Sequence, residues 1–187
     1  MKKIRLYQNT ALTLGNSVEL NKDNNHYLNK VLRLPDGKKI SIFNGDGFDY
    51  AAIVHTVKKI TSLEIISKLQ NESESKLDLT LAQGIAKGEK MDFLIQKAVE
   101  LGVSRIIPMQ LEHCVVRLKG DRIQKKIEHW QKIANHACEQ SGRSVIVDIA
   151  PPTSLEDLLS DRTHNGFVLH HRANLTLTDV PQHKKAT

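Results

Sequence analysis

The chain has 187 residues, is 40% hydrophobic and 26% charged, and carries a formal net charge of +6 with a pI near 9.3. That composition supports a packed core, and no apolar run approaches the roughly 20 residues that a membrane-spanning helix requires. Two cysteines without repeated spacing, Cys114 and Cys138, argue against a disulfide framework and make a reduced, cytoplasmic protein the expectation.

In chain order, the basic start Met1–Gln8 alternates with polar residues and opens no secretion signal. Lys3–Gln8 and Val18–Leu20 read as short strands, and Asn24–Leu34 as a brief helix with Tyr27, Leu28, Val31 and Leu32 at helical spacing. Leu34-Pro35-Asp36-Gly37 marks a turn, because proline fixes φ and glycine accepts positive φ. Lys39–Phe43, the turn Asn44-Gly45-Asp46-Gly47 and Tyr50–Val57 follow a hairpin pattern, and Ser62–Leu69 predicts a further strand. Many short strands with glycine turns point to a small barrel. Asn71–Lys76 holds no apolar residue and reads as a linker.

Beyond the linker the period changes. Leu77–Gln83 predicts a strand, and Glu89–Leu101 a helix with Met91, Leu94, Ile95 and Ala98 on one face and Gly102 as its C′ residue. Arg105–Gln110 predicts a strand. Asp121, with Gln124 three residues on, predicts the cap of a long helix whose stripe is Ile123, Ile127, Trp130, Ala134, Ala137 and Ser141. Val145–Ile149 and Phe167–His171 read as strands around a short helix, Ser154–Leu159, and the last residues carry no pattern and are expected to fray. Strands alternating with helices imply a mainly parallel sheet.

The basic excess favours a polyanionic partner, since Lys and Arg release counterions from phosphates; a basic protein without one stays open on charge alone. In Gly84-Ile85-Ala86-Lys87-Gly88-Glu89-Lys90 two glycines precede a helix, which would let backbone N–H groups approach a phosphate. The spacing matches neither a Walker A motif nor a dinucleotide fingerprint, so an ordinary strand-to-helix turn is the alternative. Asp92, Gln96 and Glu100 line one helix stripe, either a solvated face or support for a neighbouring segment. Glu139-Gln140-Ser141-Gly142-Arg143 ends the long helix, where Arg143 either meets the terminal carbonyls or faces a phosphate. His113-Cys114 and His136-Ala137-Cys138 are adjacent or i, i+2 pairs that point apart, so no metal site is expected.

Residues 83–102 and 137–143, together with Arg5 and His26-Tyr27-Leu28-Asn29-Lys30-Val31-Leu32-Arg33, resemble the RsmE family of 16S ribosomal RNA methyltransferases. That family methylates N3 of a uridine in small-subunit rRNA using S-adenosylmethionine. The resemblance implies a two-domain α+β and α/β protein: an N-terminal PUA-like β-barrel over residues 1–72 that holds rRNA, then a SPOUT domain over residues 77–187. In the family a C-terminal trefoil knot binds the cofactor, usually in a homodimer. It further implies RNA binding by Arg5, His26, Arg33, Lys87, Lys90 and Arg143, and structural support of the site by Gln96, Lys97, Glu100, Glu139 and Gln140. The family's Gly-Pro-Glu-Gly-Gly-like and Leu-Gly-x-Arg-x-Leu-Arg-x-Glu-Thr-Ala-like segments do not occur here. The SPOUT domain is therefore expected to lack its knot strands, with the cofactor residues mostly beyond Thr187 and no cofactor binding by these 187 residues. A non-catalytic rRNA- or ribosome-binding fragment, and an α/β enzyme unrelated to RNA, are the competing expectations. No catalytic residue is assigned.

Overall fold

Arg5–Tyr7 (β1), Ser17–Glu19 (β2), Lys39–Phe43 (β3), Phe48–Val57 (β4) and Ile60–Gln70 (β5) form one mixed sheet in the order β1-β3-β4-β5-β2. The computed structural model describes residues 4–58, 60–160, 166–170, 172–174, 176 and 179, and the backbone of 185–186. Two compact units divide the chain: Met1–Glu74 with Cys138–Ile146, and Ser75–Ala137 with Val147–Thr187.

In the first unit, alternate side chains of the sheet face one core. Ile40 and Ile42, then Tyr50, Ala52 and Val54, then Leu63 and Ile65 are buried there with Leu6, Leu12 and Leu28. A register shift between Ala51 and Ala52 bends the long β4–β5 ladder. Closure into the expected barrel is not seen among the described residues: β1 and β2 end the strand order and are not paired with each other. At three residues each they offer too few ladder bonds to close it. The predicted helix at Asn24–Leu34 is also different. It is a five-residue α-helix, Lys22–His26 (α1), running into a π turn at Tyr27–Val31.

At one edge of this core, the Tyr50 hydroxyl donates to Asp46 Oδ2 at 2.6 Å, and Lys68 Nζ lies 3.6 Å from the same oxygen. Burial first, then the bond to Asp46, pushes the Tyr50 pKa up; the bond to Tyr50 is the largest cause raising that of Lys68. A raised folded-state pKa contributes stability below the ordinary value that is lost as pH climbs through the folded one. The urea midpoint is therefore expected to fall above about pH 10. Tyr50→Phe, which loses about 1 kcal/mol at neutral pH with the missing hydrogen bond, should flatten that alkaline fall. An equally steep fall in the variant would remove Tyr50 from it.

The second unit carries a parallel sheet in the order β8-β7-β6-β9, formed by Asp78–Gly84 (β6), Arg105–Met109 (β7), Asp148–Ile149 (β8) and Lys185–Ala186 (β9). Between its strands run Glu89–Glu100 (α2), Asp121–Ser141 (α3) and Leu155–Ser160 (α4). Met91, Ile95 and Val99 of α2 and Trp130, Ala134 and Ala137 of α3 are buried, as is Ile106 of β7. Gly102 (φ 97) closes α2 with the Gly102 N–H on Val99 O and the Val103 N–H on Ala98 O, a Schellman stop. Gln131 ties α3 to the β8 edge, donating to Val147 O at 2.9 Å and accepting from Ile149 N at 3.3 Å.

Several expected elements differ. Asp121 is the first residue of α3 and not its cap, with Gly120 (φ 54) before it, and Gln124 donates to Glu128 instead of reaching back. Val145–Ile149 yields only the two strand residues Asp148 and Ile149, which pair with Arg105 and Ile106 where β7 begins, while the Val145 N–H donates to Glu74 Oε1. Phe167–His170 is not strand, and His171 lies outside the described residues. The patternless tail contributes β9, whose Lys185 and Ala186 pair with Asp78 and Leu79; most of that tail lies outside the described residues.

Candidate nucleic-acid interface

Asn21 opens α1 by accepting the Asn24 N–H on its Oδ1 at 2.8 Å. One residue past His26 the ladder widens, and Leu32 N–H reaches Tyr27 O, five residues back. The extra residue keeps Leu28 in the core while Asn29 turns its amide to Thr61 Oγ1 (2.7 Å), Asn25 O (3.0 Å) and Asn25 Oδ1 (2.9 Å). Arg33 then ends the turn at φ 49, with Leu34 N–H closing on Leu28 O. That closure spans six residues, one more than the Val103–Ala98 bond at the end of α2. His26, Lys30 and Arg33 are all exposed on this one turn.

Arg5 and Arg143 are placed differently. The Arg5 guanidinium donates to Asp49 Oδ1 (2.6 Å), Ser144 Oγ (2.9 Å) and the carbonyl of Arg143 (3.3 Å). Its other nitrogen caps the last turn of α3 at Cys138 O (3.0 Å), and its plane sits 4.6 Å from the Phe43 ring centre. Arg143 is buried, with Nε and Nη2 on Glu74 Oε2 at 3.0 and 2.8 Å. Glu139 Oε1 accepts the Tyr7 N–H at 2.8 Å. Arg5, Glu139 and Arg143 thus meet in one network that fastens residues 138–146 to the β1 edge. Burial is the larger cause raising the Tyr7 pKa, with Cys138 second. Gln140 is exposed beside this network. The partners Asp49, Glu74 and Ser144 were not singled out by sequence, because nothing in periodicity couples residues 44 to 139 positions apart.

The remaining sequence candidates belong to the second unit. Lys87 and Lys90 are exposed on either side of Gly88, which opens α2 at φ 58. Gly84 packs closely: a Cβ there would lie 3.2 Å from Leu111 Cδ1, which would have to shift by a few tenths of an ångström. On α2, Lys97 pairs with Glu100 at 2.7 Å and Asp92 with His129 at 3.0 Å, while Gln96 is half-buried.

A hollow of about 310 Å³ beside the π turn is lined by Asn25, His26, Asn29, Lys30 and Thr56. It does not suit an adenosyl sulfonium cofactor. No aliphatic or benzenoid side chain lines it to pack an adenine, and Lys30 has the wrong sign for a cationic sulfur. No chemical step is therefore routed through a cofactor held there.

An RNA methyltransferase PUA domain matches residues 20–63, and an RNA methyltransferase domain matches residues 73–187. The ribosomal RNA small subunit methyltransferase E of Buchnera aphidicola subsp. Acyrthosiphon pisum is 35% identical over 94% of this chain and 71% of its own length. A methyltransferase from Legionella pneumophila, solved with bound SAM, superposes with a TM-score of 0.94 at 34% identity, over 100% of this chain and 78% of that one. A ribosomal RNA small subunit methyltransferase E from Neisseria gonorrhoeae, bound to S-adenosyl methionine, gives 0.89 at 33% identity over 99% and 79%.

Proposed function

Because this chain belongs to the RsmE family of ribosomal RNA small subunit methyltransferases, we propose that it serves methylation of N3 of a uridine in 16S rRNA of the small subunit. It is an S-adenosylmethionine-dependent rRNA methyltransferase with a PUA-like half and a SPOUT half. We assign residues 1–72 to holding rRNA and 77–187 to the methyltransferase domain, working in the cytoplasm and as a homodimer. Among the described residues no helix is long and apolar enough to cross a membrane.

The observation that carries the RNA-holding role is the exposed cationic turn His26–Arg33, which lies inside the matched PUA span. Phosphate contacts position a nucleic acid, and free Lys and Arg groups supply them. Arg5 and Arg143, committed to Asp49 and Glu74, support the fold around the site, and the contacts fall to His26, Arg33, Lys87 and Lys90. N3 of uracil is a weak acid, so methyl transfer to it needs that proton removed or the uracilate anion stabilised by positive charge.

The test measures binding of a 16S rRNA fragment across a salt series, and methyl incorporation into assembled small subunits. Affinity falling with a slope of about −0.7 per phosphate contact on single strands is expected. A flat salt response, or methylation of free uridine in preference to subunits, would overturn the reading.

A further inference from the structure

The residues that line the hollow between the π turn and β4 are all polar or basic, and their functional groups differ in kind. His26 and Lys30 have no hydrogen-bond or ion-pair partner among the described residues. Asn29 directs its Nδ2 to Asn25 and Thr61, so its Oδ1 is an acceptor without a protein donor among the described residues. Thr56 contributes a hydroxyl, 3.2 Å from Thr61 Oγ1. Two residues on, Lys58 stands at the tip of the β4–β5 hairpin at φ 49. Lys58 and Arg33 are the described non-glycine residues with positive φ, and both are cations.

A bare phosphate would use the cations and leave the Asn29 acceptor idle. A deoxynucleotide has no 2′-hydroxyl on its sugar to donate to it. A ribonucleotide uses both sets, because its phosphodiester is an anion and its 2′-hydroxyl both donates and accepts. At about 310 Å³ the hollow sits at the low end of small-molecule pockets, which run roughly 300–1,000 Å³. We propose that this hollow seats one phosphodiester–ribose unit of the bound RNA strand. Lys30, Lys58 and His26 hold the phosphates, and Asn29 Oδ1 with the Thr56 hydroxyl reads the 2′-hydroxyl. The proposal rests on the rRNA-binding reading above and adds to it a built-in preference for RNA over DNA.

The test uses the full 187-residue chain, a single-stranded 16S rRNA fragment, DNA of the same sequence, and uridine monophosphate as competitor. Lys30→Ala with Lys58→Ala removes two exposed cations that the fold does not use. The salt slope should become shallower by about 1.4, at about 0.7 per contact, with rRNA affinity at least about tenfold weaker. Thr56→Val should narrow the RNA-to-DNA affinity ratio by about two- to tenfold, one hydrogen bond's worth. Asn29 is left intact because its donors tie the turn to Thr61. Wild type without salt-dependent rRNA binding overturns the rRNA reading and the hollow with it. Salt-dependent wild-type binding that the double variant leaves unchanged overturns the hollow alone. An RNA-to-DNA ratio unmoved in Thr56→Val overturns the ribose contact, and displacement of the strand by equimolar uridine monophosphate overturns a strand as the occupant.

Discussion

Arg5→Ala is expected to destabilise the protein by about 3 kcal/mol, the lower edge of what breaking one side of a buried ion pair costs. The Arg5 and Asp49 side chains are 9% and 20% exposed, which takes the pair out of the surface class worth about 0–1 kcal/mol. Two effects combine. Asp49 loses its cation, and Cys138 O loses the donor that caps the last turn of α3. The loss stays near the lower edge because Ser144 Oγ and Asn71 Nδ2 still donate to Asp49, at 2.8 and 3.2 Å. Arg5 Nε is itself buried without an acceptor among the described residues, a standing cost that the variant removes. Arg5→Lys should recover only part of the loss, since one ammonium cannot span Asp49 and the helix carbonyls as a fork does. The urea midpoint reads the single variants, and the cycle through Asp49→Ala reads the coupling. The double variant should lose clearly less than the sum of the singles. A cost below about 1 kcal/mol for Arg5→Ala would return the pair to the surface class.

The parts of the fold that sequence disclosed are those governed by local period and by glycine. Met91 and Ile95 lie on the face that 3.6-residue spacing picks out, and Gly102 stops α2 because its φ of 97 suits glycine. The parts that stayed hidden depend on long-range partners. Nothing in the stripe Trp130, Ala134, Ala137 changes where the helix passes into the unit of the N-terminal sheet, so the place of residues 138–146 is not readable from it. Where a strand is expected from Val145, that residue's N–H instead meets Glu74, 71 positions away. The π turn is hidden for another reason: Tyr27, Leu28, Val31 and Leu32 sit one or three residues apart, and one inserted residue leaves that spacing unaltered. Within the candidate site, the block His26–Arg33 is picked out by its resemblance to a family segment. Lys30 lies inside that block and was passed over, because a lysine on a helix reads first as a solvated charge. That β1 and β2 are not paired with each other was equally invisible, since short strands with glycine turns fit an open sheet as well as a closed one.

Arg33→Gly is expected to raise stability while weakening RNA binding. Arg33 occupies the left-handed region at φ 49, in the position that closes the π turn between the partly buried Leu32 and Leu34. An L residue there is disfavoured by about 1–2 kcal/mol, and glycine removes that strain. The greater freedom of glycine in the unfolded chain returns about 0.5–1 kcal/mol of it. A net gain of about 0.5–1 kcal/mol in unfolding free energy remains. The same change deletes an exposed guanidinium from the cationic turn. On the rRNA fragment it should make the salt slope shallower by about 0.7 and lower affinity by about tenfold at moderate salt. Arg33→Glu should keep the strain, give no gain in stability, and bind more weakly still because the sign is reversed. Glycine and glutamate therefore separate the two roles of one position: backbone geometry moves the melting point, and charge moves the slope. If Arg33→Gly loses stability, the guanidinium holds the turn; if its slope stays at the wild-type value, Arg33 does not touch phosphate.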